Sequence, residues 1–227
     1  NLPSQQLAGN ADDNLAFLDE HERVVVKPLD GEQGRGVAVD LRTIEEVQQA
    51  IESARQFDSR VLLESFHEGL DLRIVVIGFE VVAAAIRRPA EVVGDGQHSI
   101  GALIEAQSRR RQAATSGESK IPLDHETERT LQAAGYDYNS ILPAGEHLFV
   151  RRTANLHTGG VLEDVTAILH PTLVDAAVRA ARALDIPMVG LDLMVPAADQ
   201  PEYVFIEANE RAGLANHDPQ PTAERFV

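Results

Sequence analysis

Val24-Val25-Val26-Lys27-Pro28-Leu29-Asp30-Gly31-Glu32-Gln33-Gly34-Arg35-Gly36-Val37-Ala38-Val39-Asp40-Leu41 decides how the rest of the chain is read. The β-branched residues favour a strand that closes on Lys27, and Val37, Val39 and Leu41 alternate as one face of a returning strand. Between the two, Pro28 opens a turn. Gly31, Gly34 and Gly36 can take positive φ there and bring backbone N–H groups close to the oxygens of a ligand. Lys27 sets a point charge at the root of this flap. The spacing is neither G-x-x-x-x-G-K-[ST] nor G-x-G-x-x-G, so neither of those phosphate-binding folds is implied. Taken alone, the stretch reads equally as a hairpin with a glycine-rich turn and as a phosphate flap.

With 227 residues, 44% of them apolar, the chain can bury a full core as one domain or two small lobes. No run is long enough to cross a bilayer, and Asn1 opens a polar segment without signal-peptide character, so a cytoplasmic protein is expected. The absence of cysteine removes disulfides and thiolate chemistry. A formal net charge of −16 argues against nucleic acid and membrane surfaces as partners. Anions must then be met by local positive charge, and Lys27 and Lys120 are the only lysines.

Residues 1–21 read as polar loop and a short helix capped by Asp12 or Asp13, the remnant of an upstream segment. After the flap, Thr43-Ile44-Glu45-Glu46 is a capping box that starts a helix with Ile44, Val47, Ile51 and Ala54 on one face. A strand from Val61 to Ser65 completes a compact α+β lobe over residues 22–66. Asp71 to Ile77, then Gly78-Phe79, then Glu80 to Arg88 predict a hairpin with a type II′ turn. Arg73 and Arg87 interrupt its apolar strands, and each must meet a carboxylate or an anionic ligand, because an unpaired charge in a half-buried sheet is costly. An insertion spans about residues 89–145. It holds a turn at Val92 to Gly96, a helix capped by Ser99 and ending at Arg109 to Arg111, and a small polar stretch leading to Lys120. A strand from Glu146 to Arg151 leads into Arg152-Thr153-Ala154-Asn155-Leu156-His157-Thr158-Gly159-Gly160, a loop dense in donors. A helix from Pro171 to Leu184 follows, with Leu173, Val174, Ala177, Val178, Ala181 and Leu184 on its buried face.

The last strands carry the sharpest chemistry. Met188 to Val195 is apolar except for Asp192, and Tyr203 to Ala208 is apolar until Glu207, with Asn209 beyond it on the same face. If the two strands pair, Asp192 joins Glu207 and Asn209 in an oxygen-only trio suited to Mg²⁺, which binds through one or two carboxylates plus phosphates. A cationic glycine flap, strand arginines and such a trio together point to Mg²⁺-assisted phosphoryl chemistry on a nucleotide.

Several long motifs in the same order make the chain similar to the ATP-grasp ligases over nearly its whole length. They are Val-Val-Lys-Pro-Leu-Asp-Gly with Gly-Arg-Gly, Asp71-Leu72-Arg73, Val-Val-Gly-Asp-Gly at 92–96, Arg-Arg-Thr-Ala-Asn-Leu at 151–156 with Thr-Gly-Gly, and Ile-Glu-Ala-Asn at 206–209. The chain resembles the domain shared by cyanophycin synthetase and the N-acetylglutaminylglutamine amide synthetases, relatives of glutathione synthetase and the ribosomal-protein glutamate ligases. Its run from Ile206 to His217 looks nearer to the amide synthetases.

The resemblance implies an α+β, ATP-grasp fold of two lobes, residues 22–66 and 67–227, with ATP between them. It gives Lys27, Gly31, Gly34, Arg35 and Gly36 to the phosphates, Glu64, Ser65 and Phe66 to an adenine hinge, and Asp71 to the ribose. Arg73, Arg87, Arg152 and Asn155 become the catalytic set, Arg88, Lys120 and His157 contact substrate, and Asp192, Glu207 and Asn209 hold two Mg²⁺ ions. The implied reaction is ADP-forming amide or peptide bond formation on amino acids or short peptides through an acyl phosphate. N-acetylglutaminylglutamine amide synthesis is the first expectation, and a cyanophycin-type or glutamate-adding ligase the second. A homo-oligomer is compatible with all of this. The family's further upstream lysine and its N-terminal domain have no counterpart in residues 1–22, so an excised core that binds nucleotide without turnover is the reading from another class.

Overall fold

The computed structural model describes residues 1–31 and 35–210. The chain divides into two compact units. One comprises Gln5–Phe66 and Pro89–Val161, the other Asn1–Ser4, His67–Arg88 and the described part of Leu162–Val227.

The first unit opens with β1 (Gln5–Leu7), α1 (Ala11–His21), β2 (Val24–Pro28), β3 (Ala38–Leu41), α2 (Ile44–Ala54) and β4 (Val61–Ser65). Its strands form an antiparallel sheet in the order β1-β4-β2-β3. Val24, Val26, Leu41, Val47, Ile51, Ala54, Val61 and Leu63 close the core between sheet and helices. The capping box of Thr43 and Glu46 forms as expected. Helix α1 is capped by Asn10 instead of Asp12 or Asp13, its side chain accepting from the Asp13 N–H at 3.0 Å. Strand β1 has no β-branched residue to announce it; its pairing with Leu62 to Glu64 makes it a strand.

The returning strand departs from strict alternation. Val24 pairs with Leu41 and Val26 with Ala38, so β3 carries one residue more than β2 over the same span. That bulge is absorbed at Asp40, whose φ of 57° lies in the left-handed region that Asp tolerates better than most residues. Asp40 and Leu41 are consequently both buried, while Val37 and Val39 are only half-buried.

In the second unit, β5 (Leu70–Ile77) and β6 (Glu80–Arg88) make the expected hairpin. Its turn is type I′ and not II′, because Gly78 and Phe79 both have positive φ, 61° and 63°. The chain then returns to the first unit with β7 (Glu91–Val93), α3 (Ile100–Ala114), α4 (His125–Ala133) and β8 (His147–Phe149). These enclose a separate core of Val92, Ile100, Ile104, Ile121, Leu131, Leu142, Leu148 and Val150. Strand β8 is shorter than Glu146 to Arg151, since its partner β7 offers only Glu91 to Val93. The Val-Val-Gly-Asp-Gly motif is a packed corner. A Cβ on Gly94 would stand 2.1 Å from the Pro143 carbonyl oxygen, and the backbone N–H groups of His98 and Gln97 donate to Asp95, holding its carboxyl down to about 2.

The second unit finishes with β9 (Val161–Asp164, in it from Leu162 on), α5 (Pro171–Leu184), β10 (Met188–Val195) and β11 (Val204–Asn209). Its sheet runs β11-β10-β5-β6-β9. Leu173, Ala177 and Ala181 of α5 pack with Leu72, Ile74, Ala84, Leu191 and Leu193 in one core. Leu184 ends the helix 48% exposed, past the reach of that face. No helix among the described residues is long and apolar enough to cross a membrane.

Candidate functional site

Register builds the site in the second unit. Asp192 on β10 lies opposite Arg73 on β5 and opposite Glu207 on β11, Gly190 lies opposite Asn209, and Asp71 lies opposite Arg87. Directly opposed residues share a face of a sheet. Since Leu72, Ile74, Leu191 and Leu193 take the face under α5, Asp71, Arg73, Arg87, Asp192, Glu207 and Asn209 share the other.

Asp192 is the centre of this face, 5% exposed. Arg73 Nε stands 3.2 Å from its Oδ1, Arg87 Nη2 3.1 Å from its Oδ2, and Asn209 Nδ2 donates to Oδ2 at 3.4 Å. Arg87 also donates to Asp71 Oδ1 from Nη2 and Nε, at 2.7 and 2.9 Å. Burial is affordable here because each carboxylate faces a guanidinium. Burial pushes the Asp71 carboxyl up to about 6, with Arg87 opposing the rise and Asp192 adding to it. For Arg87, burial pulls downward, but the carboxylates of Asp192 and Asp71 outweigh it and raise its affinity for the proton.

Among the described residues, two atoms of the cluster are buried without a hydrogen-bond partner, Arg73 Nη1 and Asp192 Oδ1. A buried polar atom left so is costly, and each is one that a ligand oxygen or a cation could complete. Among the described residues no three His, Cys, Asp or Glu side chains form a metal cage by themselves. The donor set that is present, two carboxylates and an amide oxygen, fits Mg²⁺ that keeps water or phosphate oxygens for its other positions. As the side chains stand, Arg73, Arg87 and the Asn209 amide nitrogen face Asp192. Metal ligation requires the Asn209 amide to turn its oxygen inward.

The first unit holds the flap residues. Lys27 Nζ pairs with Glu64 Oε1 at 2.7 Å, and Gln5 Nε2 donates to the same oxygen at 2.6 Å. Glu64 is 4% exposed, and β4 is paired on both sides at this residue, with Gln5 and with Val25. Ser65 ends β4 opposite Val24. Phe66 lies under the guanidinium of Arg23, 4.1 Å from Cζ to ring centroid, and its N–H donates to the Arg23 carbonyl. At the flap base Gly36 has φ 70°, and a Cβ there would stand 2.6 Å from the Phe57 ring. Arg35 and Gly31 are exposed, and Gly34 lies outside the described residues.

The donor-rich loop serves several partners. Arg152 Nη1 donates to Asp40. Its neighbour Arg151 is buried and ties the loop to α4, donating to Asp124 at 2.7 Å, to Thr127 at 2.9 Å and to Glu126. Asn155 caps a short turn by accepting from the His157 N–H at 2.8 Å, and the His157 carbonyl accepts from the Lys120 N–H at 3.1 Å. Lys120 and His157 are thus neighbours, both exposed. Arg111, in the last turn of α3, donates to the Gly160 carbonyl at 3.1 Å. Arg88, in the second unit, makes an exposed pair with Glu163 at 2.6 Å. A cavity of about 400 Å³ in the first unit lies among β3, α2 and the start of α4, and among its described lining residues the sequence-assigned ones are Arg35 and Gly36.

Sequence reasoning passed over Asp40 and the role of Glu64 as the lysine's counter-charge. Asp40 sits at an outward position of the alternation, so no local signal marks it; Glu64 in an apolar strand is the kind of acid that flagged Asp192.

Comparison with known proteins identifies the family of the chain. The family described as prokaryotic glutathione synthetase, ATP-grasp domain, matches residues 2–135. The chain is 36% identical to a cyanophycin synthetase of Trichormus variabilis over 89% of its length and 24% of that protein's. It is 30% identical to the glutathione biosynthesis bifunctional protein GshAB of Clostridium perfringens, over 88% of this chain and 27% of that protein. A crystal structure of a bifunctional glutathione synthetase from Pasteurella multocida covers all of the chain with 34% of its own, at 25% identity and a TM-score of 0.59. The chain belongs to the ATP-grasp family. It spans about a quarter of the length of the curated relatives it matches.

Proposed function

We propose that the chain is the ATP-grasp domain of an ADP-forming carboxylate–amine ligase acting on amino acids or short peptides. The observation that carries this reading is the second unit's polar face, where Asp192 is flanked in register by Arg73, Arg87, Glu207 and Asn209. Phosphoryl transfer needs positioned charge more than a covalent nucleophile, and this face offers arginines for phosphate oxygens beside oxygen ligands for a cation.

In this reading Lys27, Gly31, Gly34, Arg35 and Gly36 attend the phosphates, and Glu64 to Phe66 with Asp71 attend the nucleoside. Arg73, Arg87, Arg152 and Asn155 hold the transferring phosphoryl group. Asp192, Glu207 and Asn209 hold Mg²⁺, as two ions, whose contribution is to neutralise phosphate charge. A substrate carboxylate takes the γ-phosphoryl group with release of ADP. An amine then attacks the acyl carbon, phosphate leaves, and the amine proton passes to solvent or a base. Arg88, Lys120 and His157 are assigned to substrate. The 36% identity to a protein named cyanophycin synthetase favours a cyanophycin-type substrate over N-acetylglutaminylglutamine amide synthesis; most of the run that supports the latter, 211–217, lies outside the described residues.

The test is phosphate release from Mg·ATP by the protein against a panel of carboxylate donors and amine acceptors. Release that requires both a donor and an acceptor is expected, and its loss in Lys27→Met and Asp192→Asn. Mg²⁺-dependent ATP binding with no release under any pairing would leave a nucleotide-binding module.

A further inference from the structure

Asp40 is a second buried carboxylate that gathers arginines. It is 5% exposed. Arg23 Nε donates to its Oδ1 at 2.6 Å, Arg42 Nε to the same oxygen at 3.1 Å, and Arg152 Nη1 to Oδ2. Both carboxylate oxygens are therefore taken, each by a different part of the chain. The Arg152 side chain still keeps 34% of its surface exposed, so the guanidinium is anchored by one nitrogen and has others to offer. Burial, with the charge of Arg23 added, lowers the proton affinity of Arg152.

Location gives this arrangement its meaning. Asp40 stands on the flap's return strand, at the bulge where β3 gains a residue, and the φ of 57° turns it inward instead of outward. Arg152 opens the donor-rich loop, 112 residues away in sequence. Arg23 precedes β2, the flap's other strand, and stacks on Phe66. One carboxylate thus fixes the flap's two strands and the loop arginine relative to each other.

We propose that Asp40 is a positioning residue for Arg152. It holds the guanidinium in one orientation, toward a phosphate or acyl phosphate, and couples that orientation to the flap strand. The proposal rests on the ligase reading for the identity of the anion. It does not need turnover, because the guanidinium's order and nucleotide affinity can both be read without it.

Asp40→Asn keeps the shape and tolerates positive φ while removing the charge. Affinity for a non-hydrolysable Mg·ATP analogue, measured by calorimetry, should fall about tenfold in Asp40→Asn and in Arg152→Ala, and no further in the double variant. Losses that multiply in the double variant would show that the two residues act separately and would overturn the proposal. A second measurement needs no variant at residue 40. In ¹⁵N-arginine spectra of the wild-type protein, with the Arg152 signal assigned by its loss in Arg152→Lys, rotation about its Nε–Cζ bond should be slow. Free rotation would overturn the proposal even if Asp40→Asn failed to fold. Slow rotation with coupled affinities, in a protein that releases no phosphate under any substrate pairing, would support this proposal and sink the ligase reading alone.

Discussion

Asp192 and Asp40 solve the same electrostatic problem with opposite balances. Around Asp192 the polar face has three carboxylates, with Asp71 and Glu207, against the two guanidinium groups of Arg73 and Arg87. Around Asp40 one carboxylate faces the three guanidinium groups of Arg23, Arg42 and Arg152. Asp192 shares its sheet face with further carboxylates, which suits a cation, whereas Asp40 gathers guanidinium groups, which suits an anion. Their burial differs too. The arginines on Asp192 are 16% and 21% exposed in their side chains, whereas those on Asp40 are 27%, 60% and 34% exposed. Water can relieve the second cluster when it is broken, and can do little for the first.

The largest effect should therefore come from Asp192→Ala, which strands two guanidinium groups with little access to water. A loss of about 3–5 kcal/mol of stability in urea unfolding is expected, together with phosphate release at background. Asp192→Asn should keep more stability and lose as much activity. Asp40→Ala comes next, at about 2–3 kcal/mol, because its arginines reach solvent when released. Part of that is backbone strain at positive φ, so Asp40→Gly should be milder than Asp40→Ala by about 1 kcal/mol. If Asp40→Ala proved the costlier of the two alanine variants, the comparison of burial would be reversed.

A third effect sharpens the account of the polar face through pH. The Asp71 carboxyl is raised in the folded protein to about 6 from its usual 3.8, so between those values the folded state binds the proton that the unfolded state has released. This group's contribution is therefore best below pH 3.8 and is lost as pH rises through about 6. On going from pH 7 to 4.5, wild type should gain about 1–2 kcal/mol relative to Asp71→Asn, measured as the difference between their unfolding curves. An unchanged difference would mean that Arg87 neutralises Asp71 at every pH. The smallest effect belongs to Arg88→Ala. Its pair with Glu163 is exposed on both sides and is worth at most about 1 kcal/mol. A rise in substrate KM without that stability loss would support its substrate assignment.

Much of the fold was legible in neighbouring residues. The capping box at Thr43 and Glu46, strand β4 and helix α5 appear where pattern put them, because caps and amphipathic faces depend on residues two to four positions apart. Asp192, Glu207 and Asn209 stood out for a similar local reason, as polar residues in apolar strands, and strand pairing sets Glu207 opposite Asp192 with the Asn209 amide on the same carboxylate. Helix α4 was not legible; its polar His125 to Ala133 segment is held by Asp124 at its cap and by Arg151 from another loop. The hairpin turn was read one class away, since the φ of Phe79 is set by the twist of the strands that flank it.

Local residue order specifies the polar and apolar faces, the helix starts and the residue types able to meet phosphate and Mg²⁺. Which charge answers which depends on how distant segments pack. Arg73 and Arg87 reach Asp192 through register, Lys27 reaches Glu64 on the neighbouring strand, and Arg152 reaches Asp40 through a one-residue bulge. Period-two alternation sends Asp40 outward, and one inserted residue turns it inward. That choice belongs to strand pairing and loop closure between distant segments, for which no local pattern carries the information.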